Sequence, residues 1–205
     1  MRTRMEPDTT TACAWNHGEC EGTPFCPPRC PRFVDKHGHS LLVVPLTDEF
    51  VDPLVEMYRD YASEHRSMGL PPIGDSEIRR WIDRLHAKGQ NVVAVDGDRV
   101  IGHAGFVAGD DGPPEFLVYV HQDAHGRGIG TELTKHAIAF AADSGYDGLS
   151  LHVRDDNEAA VTVYRRLGFE TVKREGNELA MVLDFEKGIA EEVRLAPADR
   201  AVVGV

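Results

Sequence analysis

The sequence predicts a mixed α/β domain with a mostly antiparallel sheet and about four flanking helices, preceded by a small cysteine-rich module. Three observations lead there. From Leu41 onward, apolar strand-like runs alternate with stretches of helical periodicity. Two short turns, Asp96-Gly97-Asp98 and Gly176-Asn177, each join a pair of such runs as a hairpin. All of the chain's cysteines, Cys13, Cys20, Cys26 and Cys30, precede the alternating region.

The alternating part reads as follows. LLVVPL, from Leu41, is a buried-strand run, and Asp48 offers a cap for a helix reaching roughly His65. Ile78, Trp81, Ile82 and Leu85 recur at helical spacing after Asp75 and Ser76, and Gly89 marks the stop. NVVAV and VIGHAGFVAG form the first hairpin, a turn spans Asp110 to Pro114, and FLVYVH is the next strand. A glycine-punctuated turn follows, then a helix whose inner face is Leu133, Ala137, Ile138 and Ala141, ending at Gly145. GLSLHV is a strand, and Asp156 or Asn157 can cap a helix lined by Ala160, Val161, Tyr164 and Leu167 before Gly168. FETVKREGNELAMVLDF closes as the second hairpin, and the tail from Lys187 shows no clear period and reads as loose.

At 205 residues, 41% hydrophobic and 27% charged, the chain can bury one domain core with an appendage. No apolar run has membrane-spanning length and the start has no hydrophobic region after its arginines, so a cytoplasmic protein without a membrane partner is expected. The net charge of −12 argues against nucleic acid as a partner, because such a chain repels phosphate backbones. The basic residues include just five lysines, Lys36, Lys88, Lys135, Lys173 and Lys187, a balance expected of a salt-loving organism's protein. Residues 1–40 carry five acidic and five basic residues, so the charge excess lies in residues 41–205 and the first segment reads as a separate module.

That module has little apolar material with which to order itself. Four thiols in a C-x6-C-x5-C-x3-C spacing, broken by glycines and prolines, fit a tetrahedral zinc site at Cys13, Cys20, Cys26 and Cys30, with His17 able to replace one cysteine. An iron–sulfur cluster, two disulfides or unligated thiols are the other readings of the same spacing. His37 and His39 read as solvated loop residues.

The glycine turn is the most informative part of the chain. Gly126, Gly128 and Gly130 free the backbone to curl, and the helix that follows aims unpaired N–H groups and its positive dipole end at the curl, an arrangement suited to phosphate. A Walker loop would need GxxxxGK[ST] and a dinucleotide fingerprint GxGxxG; this turn reads GxGxG and follows hairpins, which excludes both.

The order of elements, with His125, Gly126, Arg127, Gly128, Ile129 and Gly130 lying over a [QR]-x-x-G-x-[GA] motif, resembles the GNAT superfamily of acyl-CoA-dependent N-acyltransferases. Asn157, Ala160, Tyr164, Gly168 and Phe169 match its N-x-x-A-x-x-x-Y-x-x-x-G-F segment. The resemblance spans about residues 41–186 and implies a twisted sheet. Histidine at 125, where the family has glutamine or arginine, is the departure; it offers fewer donors than arginine. Gln122 replaces a common proline.

The resemblance implies acetyl transfer from acetyl-CoA, the cosubstrate, to a primary amine, on a small molecule or a protein, and allows a homodimer. The backbone of Val118, Tyr119 and Val120 would pair with the pantetheine arm, near Asn157. His125 and the N–H groups from Gly126 through Arg127, Gly128, Ile129 and Gly130 to Thr131 would hold the pyrophosphate, Arg127 adding charge. Tyr164 would protonate the leaving thiolate. Glu115 is the first candidate base, one residue out of the family register, so its face is in question; His103 and His121 are alternatives. The acceptor would meet Tyr58 to Ile73 and the hairpin around Lys173 to Asn177. The other reading is a non-catalytic acyl-CoA-binding regulatory protein, or an interaction protein built around the cysteine module.

Overall fold

A computed structural model describes residues 23–66, 71–109 and 112–195. Eight strands form one sheet: β1 (Arg32–Val34), β2 (Ser40–Pro45), β3 (Gly89–Asp96), β4 (Arg99–Val107), β5 (Glu115–Val120), β6 (Gly148–Arg154), β7 (Glu170–Glu175) and β8 (Glu178–Asp184). The helices are α1 (Asp48–Arg59), α2 (Asp75–Lys88), α3 (Ile129–Asp143), α4 (Glu158–Arg166) and α5 (Ile189–Arg194). The sheet order is β1-β2-β3-β4-β5-β6-β8-β7. Every neighbouring pair is antiparallel except β5 and β6, which run parallel.

Each face of the sheet has its own core. On one face, Leu133, Ile138, Val161 and Tyr164 of α3 and α4 pack with Leu149, Leu151, Met181 and Leu183. On the other, Leu54, Tyr58, Ile78, Trp81 and Ile82 of α1 and α2 pack with Val93, Val95 and Val100. The β3 run is buried at five successive positions because helices cover both sides, whereas β7 at the edge is exposed throughout.

Three expectations change. The first helix stops at Arg59, and a separate 3-10 turn, Ser63–His65, follows it. The tail is not loose from Lys187: α5 buries Ala190 and Val193 in the core, although six residues are too few to show helical periodicity. The stretch from Thr23 to Ser40 is also joined to the domain. β1 extends the sheet, and Arg29, almost fully buried, pairs with Glu132 of α3 at 2.8 Å and donates to the Val193 carbonyl. Burial opposes the Glu132 charge, yet Arg29 beside it holds the carboxyl below the usual range.

Candidate active site

The parallel pair is where the sheet opens. β5 and β6 share one register position, Glu115 with Ser150, and beyond it neither strand pairs with the other. The edge of β5 that runs on to Val120 therefore lacks a strand neighbour on this side, leaving backbone groups for another extended chain.

At the far end of β5 the chain turns into α3. Gly126 and Gly128 have φ of +75° and +89°, a region that favours glycine. The first backbone bond of α3 runs from the Glu132 N–H to the Gly128 carbonyl, so the N–H groups of Ile129, Gly130 and Thr131 have no intrahelical acceptor. Gly130 has an ordinary φ, and a Cβ there would meet just Val120 Cγ2 at 3.6 Å. Packing within the protein therefore does not require glycine at 130.

The His125 and Arg127 side chains of the turn are both engaged within the protein. His125 Nε2 donates to the Val120 carbonyl at 2.8 Å. The Arg127 guanidinium donates to Asp35 and, at 3.1 Å, to Asp96. Burial works against a charged Asp35, but the His39 N–H, the Arg127 side chain and the His37 N–H bring its pKa down to about 2. The Arg127 side chain thus ties the β1–β2 turn to the end of β3. The sequence could not reveal this, because Asp35, Asp96 and Arg127 lie far apart in the chain and are brought together only by the sheet.

Tyr164 lies on α4 against Phe116 and Phe169, ring centroids 6.3 and 5.6 Å away. Burial, and then the charge of Tyr61, push its phenol above the ordinary tyrosine value, so it stays protonated. Among the described residues its hydroxyl has no hydrogen-bond partner, which leaves the proton available. Burial also raises Tyr119, with contributions from Tyr61, Tyr164 and Glu115; these four groups share one electrostatic neighbourhood. Asn157 caps α4, accepting from the Ala160 N–H at 3.2 Å.

Glu115 is exposed and its Oε1 accepts from His152 Nδ1 at 3.2 Å across the closed end of the split. Alternation along β5 gives Leu117 and Tyr119 to the α1/α2 core and Phe116, Val118 and Val120 to the other, so Glu115 faces the α1/α2 side. His152 was not legible as a partner, since 37 residues separate the two.

The other base candidates are held elsewhere. His103 is fully buried; desolvation lowers its pKa to about 3, so it is neutral, accepting from the Tyr58 hydroxyl at Nδ1 (2.6 Å) and donating from Nε2 to Asn91 Oδ1 (3.1 Å). His121 bonds Asp60 at 3.2 Å and, with Glu56 and Arg99, lines a cleft of about 200 Å³ beside α1. Gln122 fastens the loop bearing Tyr61 to the end of β5, donating to the Asp60 carbonyl and accepting from the Ala62 N–H.

Of the proposed metal ligands, Cys13 and Cys20, like His17, lie outside the described residues. Cys26 Sγ is 3.3 Å from Thr23 Oγ1 and Cys30 is buried. No group of three or more His, Cys, Asp or Glu side chains that could hold a metal is found among the described residues, and none of their helices is long and apolar enough to cross a membrane.

Solved structures share this architecture. The GNAT domain of S. lividans PAT aligns with a TM-score of 0.64 at 20% identity, over 75% of this chain and 95% of that one. The yncA protein of Salmonella typhimurium, solved with its cofactor acetyl-CoA, aligns at 0.60 and 20% identity, over 70% and 93%. The fold is therefore that of the GNAT acetyltransferases. Residues 52–169 match the Acetyltransferase (GNAT) family, and the chain belongs to that family. A mycothiol acetyltransferase of Actinosynnema mirum is 33% identical over 124 residues, 60% of this chain and 41% of that protein. The chain thus spans about two fifths of that relative's length.

Proposed function

We propose that the protein transfers an acetyl group from acetyl-CoA to a primary amine. The observation that carries this reading is the split between β5 and β6, with N–H groups of α3 beyond the end of β5 and a protonated Tyr164 hydroxyl on α4 that have no partner among the described residues. Pantetheine pairs with the open edge of Val118 to Val120 beside Asn157, and the pyrophosphate rests on N–H groups between Gly126 and Thr131. The amine enters from the α1/α2 side. There Glu115 orients His152 through Nδ1–H, leaving the Nε2 lone pair to take the ammonium proton. The amine attacks the thioester carbonyl, the C–S bond breaks, Tyr164 gives its proton to the departing thiolate, and the proton shed by the new amide nitrogen restores the phenol.

The tyrosine, the base pair and the acceptor's entrance belong to this proposal. Thiol release from acetyl-CoA with a panel of amines tests it. Because relatives bear the name mycothiol acetyltransferase, amines related to mycothiol join polyamines, amino sugars and lysine or N-terminal peptides in the panel. Tight CoA binding with no acceptor at all would instead favour a regulatory acyl-CoA sensor.

The zinc reading is carried as part of the same proposal and requires Cys13 and Cys20 to join Cys26 and Cys30. Its test is metal analysis of protein purified without chelator, and a folded, metal-free protein overturns it.

A further inference from the structure

We propose that Lys36, on the turn between β1 and β2, is the cation that meets the phosphates of CoA at the glycine turn. The inference rests on reading that turn as the pyrophosphate site. A Cβ built on Gly128, the residue that caps α3, would lie 3.7 Å from both Cγ and Cε of Lys36 and 3.6 Å from Cζ of Phe33. The lysine stem therefore runs along the turn, beside the Phe33 ring.

Its placement is fixed by the backbone. The Lys36 N–H donates to the Arg127 carbonyl at 3.1 Å, and the neighbouring Asp35 accepts from the N–H groups of His37 and His39 at 2.8 and 2.9 Å while also holding the Arg127 side chain. Lys36 is thus carried to the start of α3 by a hairpin that lies outside residues 52–169, the part matching the family.

The charge at this place is otherwise committed. Arg127 is neutralised by Asp35 and Asp96, and His125 Nε2 is bound to Val120. Lys36 is exposed and makes no ion pair among the described residues. In a chain of net charge −12 a polyanionic cosubstrate is repelled at long range, so a local ammonium beside helix N–H groups has a specific use. A lysine serves as a point charge for phosphate and does not need the planar geometry of arginine.

The test is calorimetric titration of the full chain with CoA and with dephospho-CoA, at low and high salt, for the wild type, Lys36→Met and Lys36→Arg. Methionine keeps an unbranched stem against Gly128 and Phe33, and an unchanged thermal transition checks the fold. Lys36→Met weakens CoA binding about fivefold at low salt and less at high salt, and Lys36→Arg restores most of it. An equal loss with dephospho-CoA identifies the pyrophosphate as the group met; a loss confined to CoA identifies the 3′-phosphate. Equal CoA affinity of wild type and Lys36→Met would overturn the role of Lys36 and leave the acyl-CoA reading standing. No CoA binding by the wild type would overturn both.

Discussion

His125 Nε2 lies 2.8 Å from the Val120 carbonyl oxygen, and because a carbonyl can only accept, the imidazole must carry its proton on that nitrogen. The residue that departs from the family motif is thereby a brace between the glycine turn and the end of β5.

Removing that brace should loosen the edge proposed to hold pantetheine. His125→Ala is expected to weaken CoA binding roughly fivefold, the worth of about one hydrogen bond. His125→Arg, which adds donors for a phosphate, is expected to bind CoA more tightly than wild type. Titration of both variants checks the pair, and a loss in His125→Arg would mean that the brace matters more than the phosphate contact.

Tyr164→Phe keeps the ring against Phe116 and Phe169 and removes only the hydroxyl. The expected result is a fall in kcat of about 100-fold with CoA affinity unchanged. Parallel turnover and binding measurements decide it; a loss of affinity with kcat intact would make Tyr164 a packing residue.

Glu115→Gln and His152→Gln are each expected to lower kcat about tenfold or more if the two act as one unit. In that case the double variant is little slower than either single one. Independent, multiplying losses would count against the pair.

Arg29→Met takes from buried Glu132 the guanidinium that offsets its burial, the two side chains being 2% and 8% exposed. Destabilisation of about 3 kcal/mol is expected, with much of it recovered by adding Glu132→Leu. Denaturant unfolding measures both.

His103, neutral in the fold with its pKa lowered to about 3, regains an ordinary value of about 6.5 on unfolding. Below that pH the unfolded chain binds the extra proton, so stability falls as the pH drops from about 6.5 towards 3, by at most about 1.4 kcal/mol per unit from this group. His103→Gln should flatten that part of the stability profile, whatever its cost at neutral pH; an unchanged slope would show that other groups set it.

Much of the architecture was legible because it is local. The apolar face Leu133, Ala137, Ile138 and Ala141, the hairpin glycines, and the Asn157 cap each declare themselves within a few residues, and all are observed. α5 and β1 were missed, since elements of six and three residues carry too little pattern, and α5 is in addition held by α3, far from it in sequence. In the candidate site, Tyr164 and the glycine turn could be picked out by spacing. The partners His152, Asp35, Asp96 and Lys36 could not, because no spacing links them to the residues they meet.

By itself the sequence determined the order of elements from β2 to β8, the family and the curl of backbone before α3, each written in short-range periodicity and in glycines whose φ other residues seldom adopt. Only the tertiary structure decided how the charges around that curl are used. Long polar side chains choose among partners brought together by the sheet, and here the fold turns Arg127 to two carboxylates, His125 to a carbonyl, and carries Lys36 to the place they leave.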